Sequence, residues 1–276
     1  MGDFTRPVRL EDALSELARG SWTVLAGGTD FYPARVGRPV DEPVMDVTAI
    51  RGLRGIERTP NGYRIGALTT WTDILRADLP PAFDALRMAA REVGSVQIQN
   101  AATVAGNLCN ASPAADGVPP LLVLDAEIEL ASAKGRRRLP LSEFIQGNRR
   151  TSLRADELMT AVYVPRRAAI GRSTFLKLGA RKHLVISIVM VAARIGRDEG
   201  GVTDAAIAVG ACSEVAQRLT ALERDLCNGD AAADWPTPEH LAPLSPIDDV
   251  RADAPYRRVA AAEAVRRAVA ALEEDP

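Results

Sequence analysis

The residues best suited to chemistry in this 276-residue chain are small ones, gathered in two segments. The first reads Val24-Leu25-Ala26-Gly27-Gly28-Thr29-Asp30. The second reads Ala102-Thr103-Val104-Ala105-Gly106-Asn107-Leu108-Cys109-Asn110-Ala111-Ser112-Pro113-Ala114-Ala115-Asp116. Glycine takes positive φ at no steric cost and lets a ligand approach the backbone closely. Successive N–H groups in such a turn form a concavity that holds anions, and a helix start beside it adds its positive end. Thr29 offers a hydroxyl to a phosphate oxygen. Asp30 would repel a phosphate, so the pattern predicts that it caps the next helix or accepts from backbone N–H groups. In the second segment Thr103 and Asn107 can hydrogen-bond a diphosphate or a polyol chain, and Asn110, Ser112 and Asp116 add short polar groups. The pair together predicts a two-sided clamp for a diphosphate, hence for a dinucleotide. Taken singly, the first segment is also explained by a tight turn between strand and helix. The second is also explained by polar side chains that cap each other.

Two commoner nucleotide sites do not fit. A Rossmann unit needs Gly-x-Gly-x-x-Gly and an acidic residue about 20 positions later. A phosphate-loop NTPase needs a lysine after its glycines, and none follows here.

These segments need elements to hold them. Ala13, Leu14, Leu17 and Ala18 share one face of a short helix over 11–19, stopped by Gly20. Residues 22–26 read as a buried strand that runs into the first glycines. A short helix before Pro39 and a second strand over 43–47 complete a small α/β unit. Residues 63–68 read as a strand after the turn Pro60-Asn61-Gly62. Thr70 or Thr72 then caps a helix with Asp73 early in it. Leu86, Ala89, Ala90 and Val93 recur at helical spacing over 82–93. Residues 121–130 read as a strand, with Pro119-Pro120 barring a helix before it, and 156–164 as another, ended by Pro165. The basic stretch 166–172 marks a boundary. Beyond it come a strand over 173–178, a buried helix over 185–193, a turn at Gly200-Gly201, a strand over 202–209 and a long helix over 256–272. Residues 231–246 read as a surface excursion.

Composition narrows the class. The chain is 47% hydrophobic and 25% charged with a net charge of −2, an ordinary globular balance with no electrostatic pull toward nucleic acid or membrane. Its three cysteines are far apart, which argues against a disulfide framework or a Cys-x-x-Cys metal site and for a cytoplasmic location. They are too few for an iron–sulfur cluster of its own. Residues 1–9 lack an apolar signal core. The longest apolar run, 184–193, falls short of the ~20 residues that span a bilayer. Two histidines make a histidine-rich metal centre an unsuitable reading.

On these residues the chain resembles the flavoprotein (medium) subunits of the molybdenum hydroxylases, the xanthine dehydrogenase and aerobic carbon monoxide dehydrogenase group. Ala26-Gly27-Gly28-Thr29-Asp30 is similar to that family's first FAD loop. Gln97-Ile98-Gln99-Asn100-Ala101-Ala102-Thr103-Val104-Ala105-Gly106-Asn107 is similar to its second. Residues 148–165, the Phe175-Leu176-Lys177-Leu178-Gly179 stretch through 188, and Pro246-Ile247-Asp248-Asp249-Val250-Arg251 also agree.

The resemblance implies an α+β fold: a two-subdomain FAD-binding unit (1–56 and 57–168) followed by a C-terminal α+β domain (169–276). It implies FAD contacts from Val24, Leu25, Ala26, Gly27, Gly28, Thr29, Asp30 and Phe31, and from Thr103, Val104, Ala105, Gly106 and Asn107. Asp116 would meet the cofactor through a polar group, Met159 would pack against it, and Lys177 would lie at the flavin end. A cation there would stabilise the charge of reduced flavin; an exposed strand lysine is the plain alternative. Gln99 stands where an arginine is expected, Ala105 where a glycine is, and His183 where a small residue is.

The implied function is electron transfer. A small subunit would carry two [2Fe–2S] clusters and a large subunit the molybdenum cofactor. This chain would collect electrons on FAD and pass them to an acceptor such as NAD or a quinone. It would act as an oxidoreductase subunit with no catalytic acid–base pair and no metal of its own. Arginine runs at 136–138, 149–150 and 166–167 are candidate partner faces. Two other readings are a stand-alone FAD oxidoreductase and a cofactor-free structural subunit. The lack of a histidine near either glycine segment argues against the first. The intact Gly27-Gly28 and Gly106-Asn107 argue against the second.

Overall fold

The computed structural model describes residues 2–182, 184–229 and 235–273. Its architecture is α+β, with three main sheets that follow one another along the chain. The first is a parallel three-stranded sheet of Phe4–Thr5, Val44–Asp46 and Thr23–Leu25, with Val44–Asp46 in the middle. The helix Leu10–Leu17 covers it through Ala13, Leu14 and Leu17, which pack with Met45, Val47, Ile50 and Leu53. Leu68, Ala131 and Leu158 of the next region close the same core. Where a short helix is expected before Pro39, the chain makes a single 3-10 turn, Pro33–Arg35.

The second sheet is antiparallel and five-stranded, in the order Ile56–Thr59, Gly62–Gly66, Leu158–Pro165, Glu127–Ser132 and Gly135–Pro140. Short helices pack on it. Thr70 caps Trp71–Arg76 in a reciprocal box with Asp73, whose carboxylate also takes Arg54 at 2.8 and 2.9 Å. Residues 121–130 do not form one strand. Val118–Val123 is a helix, and the strand starts only at Glu127. Pro119 and Pro120 open that helix rather than bar it, because N–H groups in the first turn have no intrahelical partner to lose. Leu121, Leu122, Val123 and Leu124 are all buried, so the run carries no period by which a strand could be told from a helix.

The third sheet holds Arg172–Leu178, Val189–Asp198, Gly201–Gly210 and Gln217–Arg218, all antiparallel. Within the helix expected over 185–193, residues 189–193 are therefore strand, paired on both sides. Its uniform apolarity comes from burial on both faces. Val189, Val191 and Ala193 point into the core under the helices Thr220–Asn228 and Ala254–Glu273, while Met190 and Ala192 point into the core shared with Val118–Val123. Residues 231–234 of the expected surface excursion, and His183, lie outside the described residues.

Arg257, a fully buried residue of the long helix, ties this domain together. It donates to the carbonyls of Ile188 (2.7 Å) and Ala211 (2.9 Å) and pairs with Asp249 at 2.7 Å. The Arg251 guanidinium, with help from Arg257, holds the Asp249 carboxyl well below the usual carboxylate range. A depressed folded-state value gives stability that is complete above the unfolded value of ~3.9 and lost as pH falls through the folded one. Asp249→Asn is expected to lower the melting temperature at pH 7 and to flatten the decline in stability below about pH 5. Melting curves across that range check it; an acid limb identical to that of the parent would contradict the anchoring role.

Candidate functional site

The strand Thr23–Leu25 delivers the first glycines onto the second segment. A Cβ on Gly27 would stand 1.9 Å from the Ala101 carbonyl oxygen, so only glycine allows this approach. Gly28 has φ +70, the left-handed region. The two segments face one cleft of about 460 Å³. A neighbouring hollow of about 680 Å³ shares Ala26, Gly27, Leu68 and Thr103 with it.

Hydrogen-bonding divides unequally between the walls. Among the described residues, the backbone N–H groups of Gly27, Gly28, Thr29, Asp30 and Phe31 donate to nothing in the chain. They are a run of free donors beside the cleft. The second segment uses its own. Val104 N–H donates to Thr69 O (2.9 Å), Ala105 N–H to Ala67 O (3.3 Å), and Gly106 N–H to the capping Thr103 hydroxyl (3.0 Å). The expectation of bare N–H groups in both segments therefore holds for the first alone. What the second offers is side chains. Asn107 Oδ1 is buried with no hydrogen-bond partner, as is Trp71 Nε1 close by. A buried polar atom left alone is costly; Asn107 Oδ1 is an acceptor, so its partner must be a donor such as a hydroxyl and not a phosphate oxygen.

Val24, Leu25, Ala26, Gly27, Gly28, Thr29, Asp30 and Phe31 line this cleft with Thr103, Ala105, Gly106, Asn107 and Met159. Val104 faces the core instead. Asp116 and Lys177 lie off it, joined to each other at 2.7 Å. Ser187 Oγ donates to the other oxygen of Asp116 at 3.0 Å, and Lys177 Nζ also reaches Glu92 O at 3.4 Å. Burial pushes the Asp116 carboxyl up, against the pull of the Lys177 ammonium and the Ser187 hydroxyl. Lys177 is thus no exposed strand lysine: its side chain is 7% exposed. The pair adjoins the cleft through consecutive residues, since Val93 lines the cleft and Glu92 lines a hollow of about 430 Å³ beside Lys177.

Other expectations change. Asp30 neither caps a helix nor accepts from backbone; its carboxylate takes Arg149 at 3.1 Å. Gln99 is buried and donates to Arg91 O at 3.1 Å, closing the preceding helix rather than facing the cleft. Several arginines of the runs have partners within the chain. Arg136 and Arg138 pair with Glu129, Arg137 with Glu157, Arg149 with Asp30 and Arg167 with Asp125. The apolar wall of Trp71, Val93, Ile98, Leu153 and Leu158 carries no sequence signal except that Trp71 follows a legible cap at Thr70. Cys109 also lines the cleft, and burial pushes its thiol up to about 12, so it is a neutral lining group at physiological pH.

Residues 1–167 match the family model described as the FAD binding domain in molybdopterin dehydrogenase. The chain belongs to that family. Residues 174–272 of this flavoprotein subunit match the CO dehydrogenase flavoprotein C-terminal domain. It is 36% identical to the nicotinate dehydrogenase FAD-subunit of Eubacterium barkeri over 219 residues, 76% of this chain and 74% of that one. It is 31% identical to the xanthine dehydrogenase FAD-binding subunit of Escherichia coli O157:H7, over 82% and 79% of the two. A structure of carbon monoxide dehydrogenase from Hydrogenophaga pseudoflava superposes with a TM-score of 0.87 at 28% identity, covering 99% of this chain and 97% of that one. The chain is therefore an FAD-binding subunit of the molybdenum hydroxylase type, an oxidoreductase component. Among the described residues no helix is long and apolar enough to cross a membrane.

Proposed function

We propose that the FAD diphosphate rests on the free N–H groups of residues 27–31, with the Thr103 hydroxyl on the other wall and the Asn107 side-chain oxygen accepting from a hydroxyl of the FAD polyol chain. The observation that carries this is the run of unpaired N–H donors along one wall of the cleft, with Gly27 against Ala101 setting its distance from the second segment. Val24, Leu25, Ala26, Ala105, Gly106 and Met159 give the trough its shape. The flavin end lies toward Val93 and Ile98, where Asp116 and Lys177 adjoin the cleft and place a fixed cation close to the ring. Bound there, FAD supplies two-electron storage between one-electron donors and an acceptor. The chain's own part is to hold that group, to exclude water from one side with its apolar wall, and to fix the charge beside it.

On this reading the chain forms three units, 1–56, 57–168 and 169–276, which fits the three successive sheets. It works in a cytoplasmic complex with a small [2Fe–2S] subunit and a large molybdenum-cofactor subunit, and delivers electrons to NAD or a quinone. Purification through a tag on this chain from its native cells tests the assembly. The reading expects iron, molybdenum and FAD to co-elute on three polypeptides. It also expects the flavin absorbance to bleach when the substrate of the large subunit is added without an acceptor. A tagged chain that elutes alone, and whose flavin a small substrate reduces directly, would contradict it.

A further inference from the structure

Arg149 sits at the turn between the short strands Ile145–Gly147 and Arg150–Thr151, far in sequence from both glycine segments. Its Nη1 stands 3.1 Å from Asp30 Oδ2 and 2.7 Å from Asn110 Oδ1. Asp30 belongs to the first loop and Asn110 ends the helix of the second segment, and both line the cleft. One guanidinium therefore joins the two walls. The backbone repeats the link, since Arg149 N–H donates to the Ala111 carbonyl at 2.9 Å. Both residues are left-handed, with φ 54 at Arg149 and φ 47 at Ala111. Non-glycine residues seldom adopt that region, and where surroundings impose such strain it gathers at ligand clamps.

We propose that Arg149 is a latch across the mouth of the cleft, a positioning residue that slows departure of the dinucleotide. This rests on the assignment of FAD to the cleft. The latch acts in two ways. It fixes the separation of the walls, and it holds Asp30 in a neutral pair, so that the carboxylate does not repel a diphosphate bound on the adjacent N–H groups. Both acceptors share Nη1, whose two N–H bonds serve one each in the fixed plane of the guanidinium, whereas a lysine ammonium is a point charge on a shorter, flexible stem. The Arg149 and Asp30 side chains are 62% and 54% exposed, so the pair adds little to the stability of the empty chain. Its effect falls on ligand retention.

The test follows FAD release from the loaded full-length chain by the rise in flavin fluorescence after dilution, alongside melting of the FAD-free chain. Arg149→Ala is expected to release FAD about five- to tenfold faster, with the FAD-free melting temperature moved by no more than about 2 °C. Arg149→Lys is expected to fall between Ala and the parent. In an Asp30→Asn background the same Arg149→Ala change is expected to cost less, because no charge is left to shield. Unchanged release from Arg149→Ala overturns the latch. So does faster release that merely tracks an equal loss of FAD-free stability in the Ala and Lys variants, which marks a structural hairpin. If Arg149→Ala does not fold, parent-like release from both Arg149→Lys and Asp30→Asn overturns it. A parent chain that takes up no FAD removes the assignment beneath the latch and the latch with it, whereas parent-like retention in Arg149→Ala removes the latch alone.

Discussion

Gly27→Ala is expected to weaken FAD binding by at least about 100-fold, the equivalent of some 3 kcal/mol, because the added methyl has nowhere to go. It would stand 1.9 Å from the Ala101 carbonyl oxygen and 2.6 Å from its carbon, both backbone atoms at the end of the helix Val96–Ala101. Backbone cannot rotate aside as a side chain can, so one loop must move off the other. That movement widens the gap between the free donors of 27–31 and the second segment, and a clamp opened by even an ångström loses its hydrogen bonds. Gly52→Ala is the matched control, since a Cβ there meets nothing within 4 Å. Gly106→Ala should fall between them, because its Cβ would meet only the Thr103 hydroxyl, at 2.9 Å. Titration of the FAD-free variants with FAD, by quenching of flavin fluorescence, ranks all three. Parent-like affinity in Gly27→Ala would mean that the contact of the two loops does not set the clamp.

Asp116→Ala is expected to destabilise the fold by about 3–5 kcal/mol, the cost of leaving a buried charge without its partner. The Lys177 ammonium would retain only the Glu92 carbonyl, at 3.4 Å. Lys177→Met should cost less, since the Asp116 carboxyl can take up a proton and keep its bond with Ser187. Burial already raises that carboxyl in the folded state, and removing the cation raises it further. A carboxyl whose folded value lies above its unfolded one adds no penalty below the unfolded value, and destabilises increasingly as pH rises through the folded one. Lys177→Met should therefore lose more stability at pH 8 than at pH 5 relative to the parent. Denaturant unfolding at the two pH values measures this. The same variant should shift the bound flavin's reduction potential downward by some tens of millivolts, about 30 mV for 1.4 kcal/mol in a two-electron couple. An unmoved potential would place Lys177 away from the flavin.

The cleft-lining residues of the two loops are legible because loop chemistry is local. Gly27, Gly28, Thr103 and Asn107 announce themselves by type and spacing, and each lines the cleft. The small α/β unit was legible too, because its helix and strands carry clean periods and a glycine stop. What failed was long-range. The uniform run at 189–193 looks like a buried helix until a sheet covered on both faces is known to surround it. Pro119-Pro120 reads as a barrier or as a helix start according to whether Leu121 to Leu124 are taken as strand or helix. The pairing of Asp30 with Arg149 spans 119 positions and that of Asp116 with Lys177 spans 61, and no period or motif encodes either. The second segment's N–H groups looked free because their acceptors, the carbonyls of Ala67 and Thr69, come from a strand end more than a helix away.

The most direct test of the account is the visible absorption spectrum of the purified chain, followed by mass measurement of the small molecule that denaturation releases. Flavin bands and one equivalent of FAD per chain are expected, with both lost in Gly27→Ala and retained in Gly52→Ala. A colourless chain that takes up no added FAD would contradict it and would leave the two glycine segments as structural turns.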